Sequence, residues 1–157
     1  MTCLAFKSRG EEAVNFYVST FRNVFPDSRI ASLVRSEFDG PIPKGALAQA
    51  SFELAGLPFA AFDGGPPFAF AQGMSIMVNC DSQKEIDALY DGLSKGGQKQ
   101  PCGWLTDKFG VSWQIIPANL GTWLGDAKGG NTRGAMEAML KMQKLDIKTL
   151  EAAYRKR

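Results

Sequence analysis

The chain has 157 residues, enough for one ordinary domain or for two half-size modules that share a core. Hydrophobic residues make up 45% and charged residues 22%, the mixture of a globular protein, and a net charge of +2 gives no pointer to nucleic acid or an anionic membrane. There is no histidine at all, which excludes Ser-His-Asp and Cys-His catalytic sets and any imidazole-held metal.

Met1 to Lys7 has neither a long apolar core nor a small-residue cleavage site, so no signal peptide is read there. No apolar run approaches the roughly 18 residues of a membrane span. Cys3, Cys80 and Cys102 are odd in number and far apart, which fits neither zinc spacing nor a disulfide framework. Reduced thiols in a cytoplasmic protein are the expectation.

Residues 2–7 read as a short strand, and Ser8-Arg9-Gly10-Glu11 as a capping box opening a helix. That helix carries Val14, Phe16, Tyr17 and Phe21 at helical spacing and ends before Pro26. Residues 28–35 form a second strand, followed by the Gly- and Pro-rich loop around Phe38 to Pro43. Over 46–54 the alternation puts Ala48, Ala50, Phe52 and Leu54 on one face, and Ala55-Gly56 turns the chain back into a strand from Leu57 to Phe62. Asp63-Gly64-Gly65-Pro66-Pro67 then interrupts regular structure.

The second half begins in the same way. Met74 to Asn79 reads as a strand, Ser82-Gln83-Lys84-Glu85 as another capping box, and Ile86, Leu89, Tyr90 and Leu93 as a helical stripe closed by Gly96-Gly97. Residues 101–106 and 111–117 flank Asp107 to Gly110, read as a four-residue hairpin turn that sets Trp104 opposite Trp113. The two boxes lie 74 positions apart, so an internal repeat is expected: a first module over 1–65, a second over 72–117 and a helical extension over 118–157. In the extension Asn131 or Thr132 caps a helix bearing Met136, Met139, Leu140 and Gln143, a stripe suited to packing. Asp146 caps a last helix with Ile147, Leu150, Ala153 and Tyr154, and the basic end Arg155-Lys156-Arg157 reads as a solvated tail.

Three stretches carry a resemblance: Glu11 to Ser19, Asp63-Gly64-Gly65-Pro66, and above all Cys102-Gly103-Trp104-Leu105-Thr106-Asp107-Lys108-Phe109-Gly110-Val111-Ser112-Trp113-Gln114. With Lys141 to Ile147 they resemble the PhnB-like branch of the vicinal oxygen chelate superfamily, which also holds glyoxalase I, bleomycin-resistance proteins and extradiol dioxygenases. Arg22 to Phe25 departs from it as a short insertion. The resemblance implies an α+β fold of two strand–helix–strand–strand–strand modules, glyoxalase-like, with curled mixed sheets around a cavity, plus C-terminal helices. It also implies a homodimer. Many sequences of the branch bear a demethylubiquinone methyltransferase name, but no strand–glycine-rich turn–helix of the kind that binds S-adenosylmethionine is found here.

In metal-dependent relatives the ligands stand on the first and last strands of each module. Carried over, those positions fall near Thr2, at Ser75 and at Gln114, with only apolar residues on Leu57 to Phe62 and Asp63 just beyond. Neutral oxygens hold a transition ion weakly, so neither a metal nor a cofactor is expected. Gln114 either faces the cavity or satisfies backbone within the sheet. If it faces the cavity, Ser112 and Ile116 lie beside it, Ser75, Met77 and Asn79 share a face, and Phe6 and Leu4 align with Thr2. Trp104 and Trp113 then form a core pair or a stacking platform. Asp63 is either a turn carboxylate bonded to backbone or, with Glu53 or a Cys such as Cys102, the available acid–base group.

The expected ligand-binding set is Thr2, Phe6, Asp63, Ser75, Met77, Ser112 and Gln114, around a mostly apolar cavity for a small aromatic or antibiotic-like molecule. The alternatives are an isomerase, lyase or dioxygenase-type enzyme using a weakly held metal, Asp63 or a Cys, and a vestigial cavity on a structural protein. No nucleic acid or membrane partner is expected.

Overall fold

The computed structural model describes residues 1–156, so that only Arg157 of the basic end lies outside the described residues. The chain divides into two compact units, Met1–Ala71 and Gln72–Arg157. Each is built on a four-stranded mixed sheet, as the α+β reading requires.

The first unit runs β1 (Thr2–Phe6), α1 (Gly10–Arg22), β2 (Arg29–Arg35), β3 (Leu47–Leu54) and β4 (Leu57–Asp63). Its strand order is β1-β4-β3-β2, with β1 parallel to β4 and the remaining pairs antiparallel. One face of α1 buries Ala13, Val14, Tyr17, Val18 and Phe21, and the sheet contributes Leu4, Phe52, Phe59 and Ala61 to the core. Phe52 and Phe59 stack with centroids 5.4 Å apart. The β3–β4 turn places Ala55 (φ 51°) and Gly56 (φ 79°) in succession at positive φ, the geometry whose twist suits a two-residue hairpin.

Two local readings change here. The Ser8 capping box does not form: Arg9 takes the N-cap position with φ 67° and no side-chain cap, and the carboxylate of Asp63 accepts from Gly10 N at 2.8 Å. In β3, Ala48 is exposed rather than sharing the face of Ala50 and Phe52. The pairing steps from Val34–Gln49 to Arg35–Leu47, so Ala48 is bulged and Leu47 takes the buried side.

The second unit runs β5 (Ile76–Cys80), α2 (Gln83–Leu93), β6 (Gln98–Lys99), β7 (Trp104–Thr106) and β8 (Ser112–Pro117). Three helices follow: α3 (Leu120–Gly125), α4 (Thr132–Met139) and α5 (Ile147–Arg155). The strand order is β5-β8-β7-β6, again with one parallel pair, β5 with β8. The second capping box is present in full: Ser82 Oγ accepts from Glu85 N, and the Glu85 carboxylate accepts from Ser82 N. Asn131 caps α4 and Asp146 caps α5 through their side-chain oxygens. The helix expected to include Gln143 stops at Met139, and α3 was not anticipated.

The extension is tied to the second sheet. Ile116, Leu120, Trp123, Ala135, Leu145 and Leu150 form one apolar cluster. Cys102 N and Gly103 N donate to the carbonyls of Met142 and Gln143 at 2.8 and 2.7 Å. Gln83 on α2 donates to Leu145 O at 3.0 Å and accepts from Ile147 N at 2.9 Å. Lys144 Nζ lies 2.7 Å from Asp91 and 3.1 Å from Asp87. Bonds from Lys144, then Lys99, hold the Asp91 carboxyl below its ordinary value. A carboxylate depressed on folding adds stability above its unfolded pKa and loses it as pH falls through the folded one. Side chains this exposed make that contribution small.

The two units repeat with a one-residue offset. The helices start at Gly10 and Gln83, 73 positions apart. The first strands repeat at 74: Gly64 N donates to Phe6 O as Ala118 N donates to Cys80 O, so Phe6 corresponds to Cys80. The extra residue sits before α1, where Arg9 turns through the left-handed region.

Candidate functional site

The offset decides which side chains share a face. Counting back from Phe16-Tyr17 pairs Thr2 with Ser75, but the strand repeat pairs Cys3 with Met77 and Ala60 with Gln114. On β1 it is Leu4 and Phe6 that turn toward α1. A Cβ built on Gly10 would stand 3.3 Å from the Phe6 ring and 2.8 Å from Asp63 Oδ1. Thr2 shares that side by alternation, at the exposed start of the strand. Phe6 is 2% exposed and meets Phe70 edge-on at 5.1 Å.

Asp63 is likewise turned inward and is 7% exposed. Its Oδ1 accepts from Gly10 N at 2.8 Å and its Oδ2 from Leu47 N at 3.0 Å. The carboxylate therefore fastens the start of α1 to the start of β3, the backbone-bonding alternative of the two read for it. Thr2, Phe6 and Asp63 are thus set apart from the helix-free face of their sheet, where Cys3, Ala5, Ser51 and Ala60 lie.

In the second unit the expected residues do come together. Gln114 Nε2 donates to Ser75 Oγ at 2.8 Å, and Met77 stands beside Gln114 in register across the parallel pair. Ser75 lies one residue before β5, which starts at Ile76 rather than Met74. Met77 is 54% exposed, a large apolar side chain left on an open sheet face.

The hairpin departs from its expected register. Trp104 pairs with Gln114, and Leu105 with Trp113. The connection spans five residues, Asp107 to Val111, closed by Asp107 N donating to Val111 O at 2.9 Å. Asp107 is the cause. Its Oδ1 accepts from Phe109 N at 2.8 Å and Val111 N at 3.1 Å, and its Oδ2 accepts from Trp113 Nε1 at 2.8 Å. Trp113 is fully buried on the α2 side, whereas half-buried Trp104 stands on the Gln114 face. The two tryptophans are on opposite faces and are not a cross-strand pair.

Ser112 and Thr106 form the next row of that face. Ser112 is 2% exposed, and neither its Oγ nor Thr106 Oγ1, both buried, has a hydrogen-bond partner. A buried hydroxyl left unpaired costs about 1–3 kcal/mol, and these two form a cross-strand polar row closed to solvent. Thr106 and Trp104 had not been placed on this face by sequence reasoning. The Thr106–Ser112 pairing would have put both there, had the loop been read as five residues.

This face carries amide, hydroxyl, thioether and indole groups: Gln114, Ser75, Ser112, Thr106, Met77 and Trp104. No carboxylate, thiolate or imidazole joins them, a poor donor set for a divalent transition ion. Among the described residues no three His, Cys, Asp or Glu side chains gather as metal ligands. Cys80 is buried on the opposite side, and burial pushes its thiol up to about 12. Iodoacetamide at pH 8 is therefore expected to modify exposed Cys3 in the native protein and leave Cys80 intact. Comparable labelling of Cys80, read by peptide mass mapping, would contradict its placement.

Two mixed sheets, each with a helix between its parallel strands, are the architecture of the vicinal oxygen chelate superfamily; the C-terminal helices lie beyond the residues that the family model matches. The chain belongs to the PhnB-like family of that superfamily, whose model, described as 3-demethylubiquinone-9 3-methyltransferase, matches residues 1–116. The PhnB protein from Bacillus cereus, which bears a provisional form of the same name, is 35% identical. The match covers 74% of this chain and 97% of that one, with a TM-score of 0.67. Protein PA1353 from Pseudomonas aeruginosa is 24% identical over 74% of this chain and 95% of that one, with a TM-score of 0.60, and shares the fold. No curated protein matches the chain.

The residues do not fit the S-adenosylmethionine that the family's name implies. Gly64-Gly65 at the end of β4 leads into a turn and coil rather than a helix. A Cβ on Gly64 would lie 2.3 Å from the Phe68 ring, so that glycine is explained by close packing.

Proposed function

We propose that this protein binds a small aromatic or antibiotic-like molecule on the helix-free face of its second sheet, without a tightly held metal. The observation that carries the reading is the Gln114–Ser75 amide–hydroxyl pair standing beside exposed Met77 and half-buried Trp104 on one sheet face. The Gln114 amide and the Ser75 hydroxyl both donate and accept, so they suit a carbonyl, phenol or amide on the ligand. Trp104 and Met77 supply the flat and adaptable apolar surfaces that an aromatic ring requires. Pairing of two copies belongs to the same reading, and a solution mass twice that of the chain, read by light scattering, is the result it expects.

An acid–base enzyme is less well supported, because Asp63 is bonded to two backbone amides, Glu53 is paired with Arg29 and the Cys102 thiol is turned to the Met139 carbonyl. A thermal-shift and Trp-fluorescence screen of aromatic metabolites and antibiotics should give a saturable hit. Ser112→Val and Gln114→Ala should each weaken that hit roughly tenfold while leaving the melting temperature of the free protein near its starting value. A screen without a hit, or a hit indifferent to both substitutions, would refute binding at this face. One tight equivalent of metal, lost on Gln114→Ala, would refute the metal-free reading.

A further inference from the structure

A separate cavity lies within the first unit, between the end of β1, the start of α1, the loop before β3 and the Gly-Pro segment after β4. It holds about 450 Å³, in the range of small-molecule sites. Its walls are apolar where Pro41, Ile42, Pro43 and Pro66 meet Leu47. Its polar groups are Lys7, Ser8, Arg9, Glu11 and Asp63.

Two of those charges are already paired. Arg9 makes a two-pronged pair with Glu12 at 2.8 and 2.7 Å, and Glu11 makes one with Arg35. What remains is one positive and one negative group. Lys7 follows β1 directly, is exposed and has no carboxylate partner among the described residues. Asp63, level with Phe6 on the neighbouring strand, is 93% removed from solvent, with two backbone amides and no cationic side chain bonded to it. A buried carboxylate without a counter-ion is costly, and each of its oxygens keeps a free lone pair.

The geometry points to this cavity as a binding site for a small apolar amino acid. The ligand's ammonium meets Asp63, its carboxylate meets Lys7, and its side chain rests on the prolines and Ile42. The site belongs to the first unit alone and does not depend on a ligand at the second sheet.

Calorimetry and amide NMR with L-leucine, L-leucinamide and N-acetyl-L-leucine test it on the full chain. Leucine should bind saturably at millimolar concentration or below, with shifts at Lys7, Ser8 and Gly65. Leucinamide should bind roughly fivefold more weakly, and N-acetyl-leucine should not bind. Lys7→Met should weaken leucine to the level of leucinamide and leave leucinamide unchanged. Ala46→Trp, which fills the cavity without touching Asp63, should abolish both. Neither variant alters Asp63, whose carboxylate also holds the fold. Absence of leucine binding, equal binding of all three probes, or binding that survives Ala46→Trp would overturn the assignment.

Discussion

Asp107→Ala is expected to destabilise the second unit by about 3–5 kcal/mol, the largest loss of any single polar substitution in the chain. One carboxylate, 3% exposed, accepts from Phe109 N, Val111 N and the Trp113 indole. Alanine leaves those donors facing a hole. Each unpaired buried donor costs about 1–3 kcal/mol, and partial relaxation of the loop recovers some of it. Urea denaturation followed by Trp fluorescence reads the change directly. Asp107→Asn should fall between, since its amide keeps one acceptor oxygen and presents a donor where the carboxylate accepted. A loss below about 1 kcal/mol for alanine would mean that the loop is held by other contacts.

The second large effect is at Asp63. Asp63→Ala removes the side-chain acceptor of Gly10 N at the start of α1 and frees the Leu47 amide, two bonds in a buried setting. A cost of about 2–4 kcal/mol follows, with Asn giving roughly half. Faster hydrogen exchange at the Gly10 and Leu47 amides would locate the damage. An acid–base role for Asp63 predicts the opposite pattern, with stability retained and a catalytic activity lost.

Much of the fold was legible in the sequence. Ser82 and Glu85 announced α2, Ala55-Gly56 announced the first hairpin, and the block from Cys102 to Gln114 carried the family. What escaped is long-range or depends on a single residue. The Ser8 box has the right composition, but Arg9 adopts φ 67° and the cap comes from Asp63, 53 residues away. No local pattern can foresee that substitution of partner.

The faces on which the candidate site residues stand were legible in the second unit and not in the first, for a related reason. Ser75, Met77, Ser112 and Gln114 share a face as read because alternation along β5 and β8 is regular. Thr2 and Phe6 stand on the α1 side of their sheet, because one added residue before α1 inverts the count from the helix. A one-residue change moves every side chain of a strand to the other side of its sheet. Trp104 was misassigned by the same arithmetic across a loop one residue longer than read. The unpartnered hydroxyls of Thr106 and Ser112 belong to tertiary structure alone, since neither residue type signals burial.

The ties that bind residues 142–147 to α2 and to Cys102-Gly103 bear on the order in which the protein is made. All of the first unit's strands and its helix lie within Met1–Ala71, so that unit can close as soon as those residues leave the ribosome. The second unit must wait. Its outer strand β5 finds its parallel neighbour only when β8 has been made, and the Gln83 amide finds its two distant partners only once Leu145 and Ile147 have emerged. Through that interval Met77 and Trp104 are borne on an unfinished sheet, making the nascent second half the stretch most in need of a chaperone.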